Sequence, residues 1–395
     1  MIESWRWFGP LDRISLAEVA QTGAEGIVTA LHERPYGEVW SREDIAARKA
    51  LIARAPGGRL HWNVVESLPV HESIKRGTGD LEPLFAAYRQ SMANLAAEGI
   101  TTICYNFMPL LDWTRTRLDA PLPGGGTALR FDQARMAAFE VHMLRRKGAE
   151  AEYADSVLTQ ARAWFDASDE AQRARLLSSI MSGLPGAYDR YDIEGLKRVL
   201  AAWQGFAAAD LRASLASFLR AVVPAAEDLG VRLCIHPDDP PRPLLGLPRV
   251  VSDADDIAAV LDAAPSRANG LTLCAGSLGA NPANDVPAIA ARFAGHIHFV
   301  HLRNVTKEPD GSFQEAAHLE GDTDMPALIA VILREEARRR SEGRADAAIP
   351  FRPDHGHELA TDLGRGTHPG YPLVGRLRGL AELRGVIAGL RHAGL

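Results

Sequence analysis

The sequence predicts a (β/α)8 barrel, an α/β fold of eight parallel strands each followed by a helix. Three observations carry this prediction. Eight short apolar runs alternate with stretches whose apolar residues recur at helical spacing. Four of the later runs end in side chains able to bind a metal: His236, Cys274, His301 and Asp354. The last run, Ile349-Pro350-Phe351-Arg352-Pro353-Asp354-His355-Gly356-His357, carries the chain inward and then stops at a carboxylate, two imidazoles and a glycine. Buried strands deliver polar groups to a barrel pocket at their C-terminal ends in this way.

Taken in order, Ser4 to Phe8 is strand one, closed by Gly9-Pro10. Ser15-Leu16-Ala17-Glu18 is a capping box, in which the Ser oxygen and the Glu carboxylate satisfy first-turn amides. Gly26 to Leu31 is strand two, and Ser41 caps a helix that Pro56-Gly57-Gly58 stops. Leu60 to Val65 is strand three, Asp80 to Glu98 a helix closed by Gly99, and Ile100 to Phe107 strand four. The alternation then lapses. Helical spacing over Phe131–Leu144, Ala151–Phe165, Asp169–Met181 and Ile193–Trp203 makes residues 112–205 a helical insertion after strand four. Its apolar faces exceed what one barrel buries, so it is expected to cover the barrel mouth or build a dimer contact.

A helix from Ala208 to Leu229 resumes the pattern. Val231 to His236 is strand five, Leu271 to Ala275 strand six, His296 to Leu302 strand seven and Ile349 to Pro353 strand eight. Helices follow at Asp253–Ala264, Val286–Phe293, Met325–Arg340 and Pro372–Leu390, where Pro372 suits a first turn. The whole chain, 1–395, reads as one barrel domain carrying the insertion.

Strand side chains alternate faces with period two. Cys234 and His236 therefore share a face, as do Phe299 and His301, and Arg352 and Asp354. Alone, each candidate ligand has an ordinary reading: a histidine ending a strand, a small buried thiol, a carboxylate capping a helix. Four of them at four successive strand ends converge on one rim, and two imidazoles, a thiol and a carboxylate there make a divalent-metal site. Cys234 sits one layer deeper and reads as core, and Cys104 reads as packing. His296, His298, His318 and His368 have no comparable partners. Gly124-Gly125-Gly126 lacks the Lys-Ser or Lys-Thr of a phosphate loop and is a turn.

The totals exclude several classes. In 395 residues the formal net charge is −6, and the basic residues are scattered, which argues against a nucleic-acid partner. No apolar run approaches the roughly 20 residues of a membrane span. Three cysteines and an N-terminus without a signal-peptide layout point to reduced thiols in a cytoplasm.

The residues thus argue for a metal-dependent barrel enzyme. Longer strings narrow it. They are Trp5-Arg6-Trp7-Phe8-Gly9-Pro10, Gly37-Glu38-Val39-Trp40, Val64-Val65-Glu66-Ser67-Leu68-Pro69-Val70-His71-Glu72 and Cys104-Tyr105-Asn106-Phe107-Met108-Pro109. They continue with Leu111-Asp112-Trp113-Thr114-Arg115-Thr116, His236-Pro237-Asp238-Asp239-Pro240-Pro241-Arg242-Pro243, His301-Leu302-Arg303, Arg352-Pro353-Asp354-His355-Gly356-His357 and Pro369-Gly370-Tyr371. Through these the chain resembles the D-mannonate dehydratase family over essentially its full length. The resemblance implies a xylose-isomerase-like barrel in which His236, Cys274, His301 and Asp354 bind Mn2+ or Fe2+. It implies that Tyr371 and His355 act on the substrate as base and acid, and that Arg303, Trp7, Tyr105 and Asn106 contact it. It also implies a homodimer. Phe8 departs from the tyrosine usual there, as do Asn304-Val305 and Pro372 from the small residues usual at their positions. Two other readings stay open: a metal-dependent sugar isomerase or epimerase on the same barrel, and a non-catalytic sugar-acid binder with structural zinc.

Overall fold

The computed structural model describes residues 1–183 and 191–395. Eight parallel strands close a barrel: β1 (Ile2–Arg6), β2 (Gly26–Thr29), β3 (His61–Glu66), β4 (Thr102–Tyr105), β7 (Arg232–Ile235), β8 (Asn269–Cys274), β9 (Ile297–His301) and β12 (Pro350–Arg352). All eight strands expected from the sequence are present. Each follows the last around the barrel, and β12 returns to β1 through the pairs Ile2↔Pro350 and Glu3↔Phe351.

The two faces of the strands sort the apolar residues. Val28, Val64, Cys104, Cys234 and Phe299 form a small fully buried cluster inside the barrel. Their neighbours Ile27, Val65, Tyr105, Ile235 and Val300 join the larger cluster under the helices. Period-two alternation requires this division. Cys104 and Cys234 are therefore core residues, as their sequence context indicated. The expected caps also form: Ser15 and Glu18 make a reciprocal capping box, and Ser41 caps Arg42–Ala53.

The insertion differs from the helical block expected. Helices do occur at Asp155–Ala167, Glu170–Met181 and Ile193–Ala201, while residues 184–190 lie outside the described structure. Ahead of them, however, comes a hairpin of β5 (Arg117–Pro121) and β6 (Thr127–Phe131), with Gly124-Gly125-Gly126 at its turn. The predicted helix over Phe131–Leu144 is a short α-helix, Gln133–Ala137, that widens into a π-type turn over Ala138–Met143. A second pair, β10 (Asn304–Lys307) and β11 (Phe313–Ala316), follows β9. Together they make an antiparallel sheet in the order β10-β11-β6-β5, with Phe131 stacked on Phe313 at 5.5 Å. Strands of four or five residues give little local signal, and the β6–β11 pairing that joins the two hairpins spans almost two hundred residues, so the sequence pattern does not separate them from loop.

The closing helix, Leu373–His392, holds the segment after β12 in place through glycine. A Cβ on Gly375 would lie 1.8 Å from the His357 carbonyl oxygen. Gly375→Ala is therefore expected to cost about 1–3 kcal/mol, as overpacking does. The check is a denaturant midpoint that falls with its slope unchanged. Gly389→Ala, with no atom within 4 Å of the new methyl, should leave the midpoint equal or higher.

Candidate metal centre and catalytic cavity

Ligand atoms of His236, Cys274 and His301 all lie within 4.8 Å of one another. The strand register produces this: Cys274 pairs with His301 across β8 and β9, and His236 follows the end of β7. Asp354 closes in from β12, its Oδ2 3.7 Å from Cys274 Sγ and 3.6 Å from His301 Nδ1. The four candidates from the sequence thus meet at one place.

The donor set fits a divalent ion. Both ring nitrogens of the fully buried His301 lack a hydrogen-bond partner among the described residues, a costly state for a polar group that has no further role. His236 uses Nδ1 on the Pro237 carbonyl at 2.6 Å, which leaves Nε2 free to bind a metal. Cys274 accepts a hydrogen bond from Ser277 Oγ at 3.1 Å. Asp354 has φ +61°, in the left-handed region that residues with a Cβ rarely adopt. Arg352 and the Tyr371 hydroxyl, 3.2 Å from Oδ1, hold its carboxylate there. Burial would raise its pKa, but Arg352, His355, His301 and Arg303 outweigh burial and hold the group well below the usual carboxylate range. It is therefore an anion, as a ligand must be.

Beside this cluster lies a buried charge network. Arg303 donates to Asp239 at 2.6 Å and to Glu315 at 2.9 Å, and Arg115 donates to the same two carboxylates at 2.8 and 2.7 Å. Burial opposes ionisation of Glu315, but Arg303, His355 and Arg115 bring its pKa down to about 2. His355 Nδ1 stands 2.6 Å from Arg303 Nη1 and 3.0 Å from Glu315 Oε1. A ring nitrogen cannot both accept from the guanidinium and donate to the carboxylate, so the network governs the His355 tautomer. Tyr371 packs edge-on to His355 at 5.0 Å. Burial, with Asp354 adding and Arg352 opposing, raises the pKa of its phenol.

A cavity of about 790 Å³ opens over these groups, and Asn106, His236, Asp354, His355 and Tyr371 are among its lining residues. The insertion reaches it through Asp112, Trp113 and Ser182. Burial pushes the Asp112 carboxyl up to about 6, against Lys75. Three residues expected at the substrate are placed elsewhere. Trp7 and Tyr105 point outward into the layer beneath the helices, because each is one residue beyond an inward-facing neighbour, Arg6 or Cys104. Arg303 is 1% exposed and grips His355 from behind rather than lining the cavity. Glu66, Asp112, Asp239, Arg115 and Glu315 also meet at or beside the cavity, and the strand-end pattern does not single them out. Their resemblance strings include all but Glu315, yet a string of matching residues does not show which members meet in space.

Fold and site together define a (β/α)8-barrel enzyme whose strand ends fit a divalent metal beside a cavity that charged and hydrogen-bonding side chains help to line. A model of the D-mannonate dehydratase (UxuA) family matches residues 1–394. The mannonate dehydratase of Chromohalobacter salexigens is 56% identical over 393 residues, covering 99% of both chains, and that of Saccharophagus degradans is 50% identical over 391, covering 99% of this chain and 98% of the other. The crystal structure of mannonate dehydratase from Streptococcus suis serotype 2 matches at a TM-score of 0.77 and 32% identity, covering 100% of this chain and 95% of that one. The chain belongs to the D-mannonate dehydratase family: it is a hydro-lyase that takes water from D-mannonate. This full-length match sets aside the isomerase and structural-zinc readings.

Arg115→Met would leave Asp239 and Glu315 short of a buried cation. Breaking one partner of such a network costs about 3–5 kcal/mol, measurable as a lower denaturant midpoint. Because the pKa of Glu315 is lower folded than unfolded, its stabilisation is complete above its ordinary pKa of 4.5 and is lost as pH falls toward about 2. The deficit of the variant should shrink across that window.

Proposed function

We propose that His236, Cys274, His301 and Asp354 hold Mn2+ or Fe2+ and that Tyr371 and His355 are the base and acid of the dehydration. The convergence of His236, Cys274 and His301, with Asp354 3.6 Å from a His301 ring nitrogen that makes no hydrogen bond, carries this reading. The C2 proton of an aldonate is weakly acidic, and a divalent ion there supplies positive charge where negative charge develops as that proton leaves.

The protein's own groups do the rest. Tyr371, as the phenolate, takes the C2 proton and becomes the phenol, and the C2–H electron pair becomes the C2–C3 double bond. The C3–O bond breaks, and the His355 Nε2–H gives its proton to the departing hydroxyl, which leaves as water. The enol then tautomerises to 2-keto-3-deoxy-D-gluconate without a protein group. The 3.0 Å contact of His355 Nδ1 with the Glu315 carboxylate supports this split, since a ring that donates from Nδ1 can hold a second proton on Nε2 and is left a neutral imidazole once that proton has gone. Ionisation of Tyr371 works against burial and Asp354, and Arg352 and Arg6 assist it. Trp113, 5.8 Å from His355, and the Asp112 segment close the cavity over the reacting carbons.

The ligand assignment predicts that Cys274→Ser loses bound metal far more than Cys234→Ser, because a serine hydroxyl stays protonated and binds a borderline metal poorly. Elemental analysis of the purified variants measures this, and greater loss in Cys234→Ser would overturn it. His355→Asn and Tyr371→Phe should keep the metal while kcat drops by about 100-fold or more, the usual effect of losing an acid or base.

The split is tested in D2O with D-mannonate, by following deuterium at C2 alongside 2-keto-3-deoxy product. Tyr371→Phe should lose both exchange and product. His355→Asn should still exchange C2 while product formation stalls. The opposite pattern would interchange the two roles.

A further inference from the structure

Three basic side chains reach the cavity from buried positions: Arg6, Lys75 and Arg352. Two are neutralised by the protein. Arg352 lies between Glu66, at 2.7 Å, and Asp354, and Lys75 donates to Glu72 at 2.6 Å. Arg6 differs. Among the described residues no carboxylate comes within the 4.0 Å of an ion pair, although Arg6 is only 8% exposed.

Its surroundings orient it without neutralising it. One guanidinium nitrogen donates to His32 Nε2 at 3.2 Å, and another reaches the Val28 carbonyl at 3.5 Å. The guanidinium carbon sits 4.6 Å over the Phe8 ring. Burial and Arg6 itself push the pKa of His32 down to about 3, so the ring is neutral and its Nε2 can accept. Two of the five N–H donors are thus engaged, and the side chain faces the cavity. Phe8 in turn touches Tyr371 edge-on at 4.9 Å, which places Arg6 on the wall that carries the proposed base. The strand register agrees, because β1 is the neighbour of β12, whose end carries Asp354.

A buried cation without a counter-ion is costly unless a ligand supplies one. The substrate of this family is a sugar acid, whose only charge is its carboxylate. We propose that Arg6 receives the substrate carboxylate with its free N–H donors, and that His32 is a positioning residue holding the guanidinium for it. This rests on the reading of the cavity as the dehydratase site. Planar guanidinium and planar carboxylate match in a two-bond fork. Arg6 thereby selects aldonates over the neutral sugars and polyols that share their hydroxyls.

The test separates charge recognition from structural support. Binding is measured by calorimetry on metal-loaded protein in a His355→Asn background, so that ligand is not consumed. The probes are D-mannonate and D-mannonamide, the same acid with its charge removed. Arg6→Gln should weaken D-mannonate about 10- to 100-fold, the range for a lost hydrogen bond to a charged group. It should leave D-mannonamide within about two-fold. Arg6→Lys, which keeps the charge and loses the fork, should fall between. The melting temperature of ligand-free Arg6→Gln should be equal or higher, since a buried unpaired charge has gone. Equal weakening of both ligands, undiminished D-mannonate binding, or a lower melting temperature with parallel losses would overturn the assignment. If neither probe binds while Arg6 is intact, the reading of the cavity itself fails, and the assignment falls with it.

Discussion

The guanidinium of Arg303 ties together segments that are far apart in the chain. It donates to Asp239 beyond β7, to Ser277 beyond β8 and to Glu315 on β11, and it meets His355 beyond β12. None of these groups can leave its partner without stranding a charge in a dry interior, so the loops at the barrel mouth are held by electrostatics as much as by packing. Even the backbone yields to it: a Cβ on Gly276 would come within 2.1 Å of Arg303 Nε. The candidate metal ligands and the proposed acid–base pair stand on this frame.

The frame also explains why the small antiparallel sheet exists. β11 presents Glu315 to Arg303, and the segment leading into β5 presents Arg115 to the same carboxylate. Two excursions from the barrel, one after β4 and one after β9, thus complete a charge balance that the eight strands leave open. Arg115 and Arg303 offset Asp239 and Glu315, so His355 lies beside a network that is already neutral. Arg6 stands outside this balance. A paired arginine at the mouth supports structure, whereas Arg6, with no carboxylate partner among the described residues, is the one proposed to take an anion from solution.

Much of this was legible in the sequence. The barrel followed from eight apolar runs at regular intervals, and parallel strands buried on both faces leave that mark without help from distant residues. The candidate ligands followed from their place at successive strand ends, since register carries strand ends to a common rim. What failed was local in appearance but global in cause. β5 with β6 and β10 with β11 are short hairpins, and the two join only through β6 and β11, almost two hundred residues apart, so no window of sequence contains the whole sheet. Trp7 and Tyr105 belong to strings that meet the site, yet one step along a strand turns a side chain to the other face.

The sequence by itself determined the barrel, the rim residues that fit a metal and the resemblance to a family of sugar-acid dehydratases, because each is written in short-range pattern or in contiguous strings. Only the tertiary structure decided which charges are paired. Glu315 with Arg303, Glu66 with Arg352 and, among the described residues, Arg6 without a carboxylate are outcomes of strand closure and loop packing. Pairing depends on separations of a few ångströms between residues up to several hundred positions apart, and such distances exist only once the chain has folded.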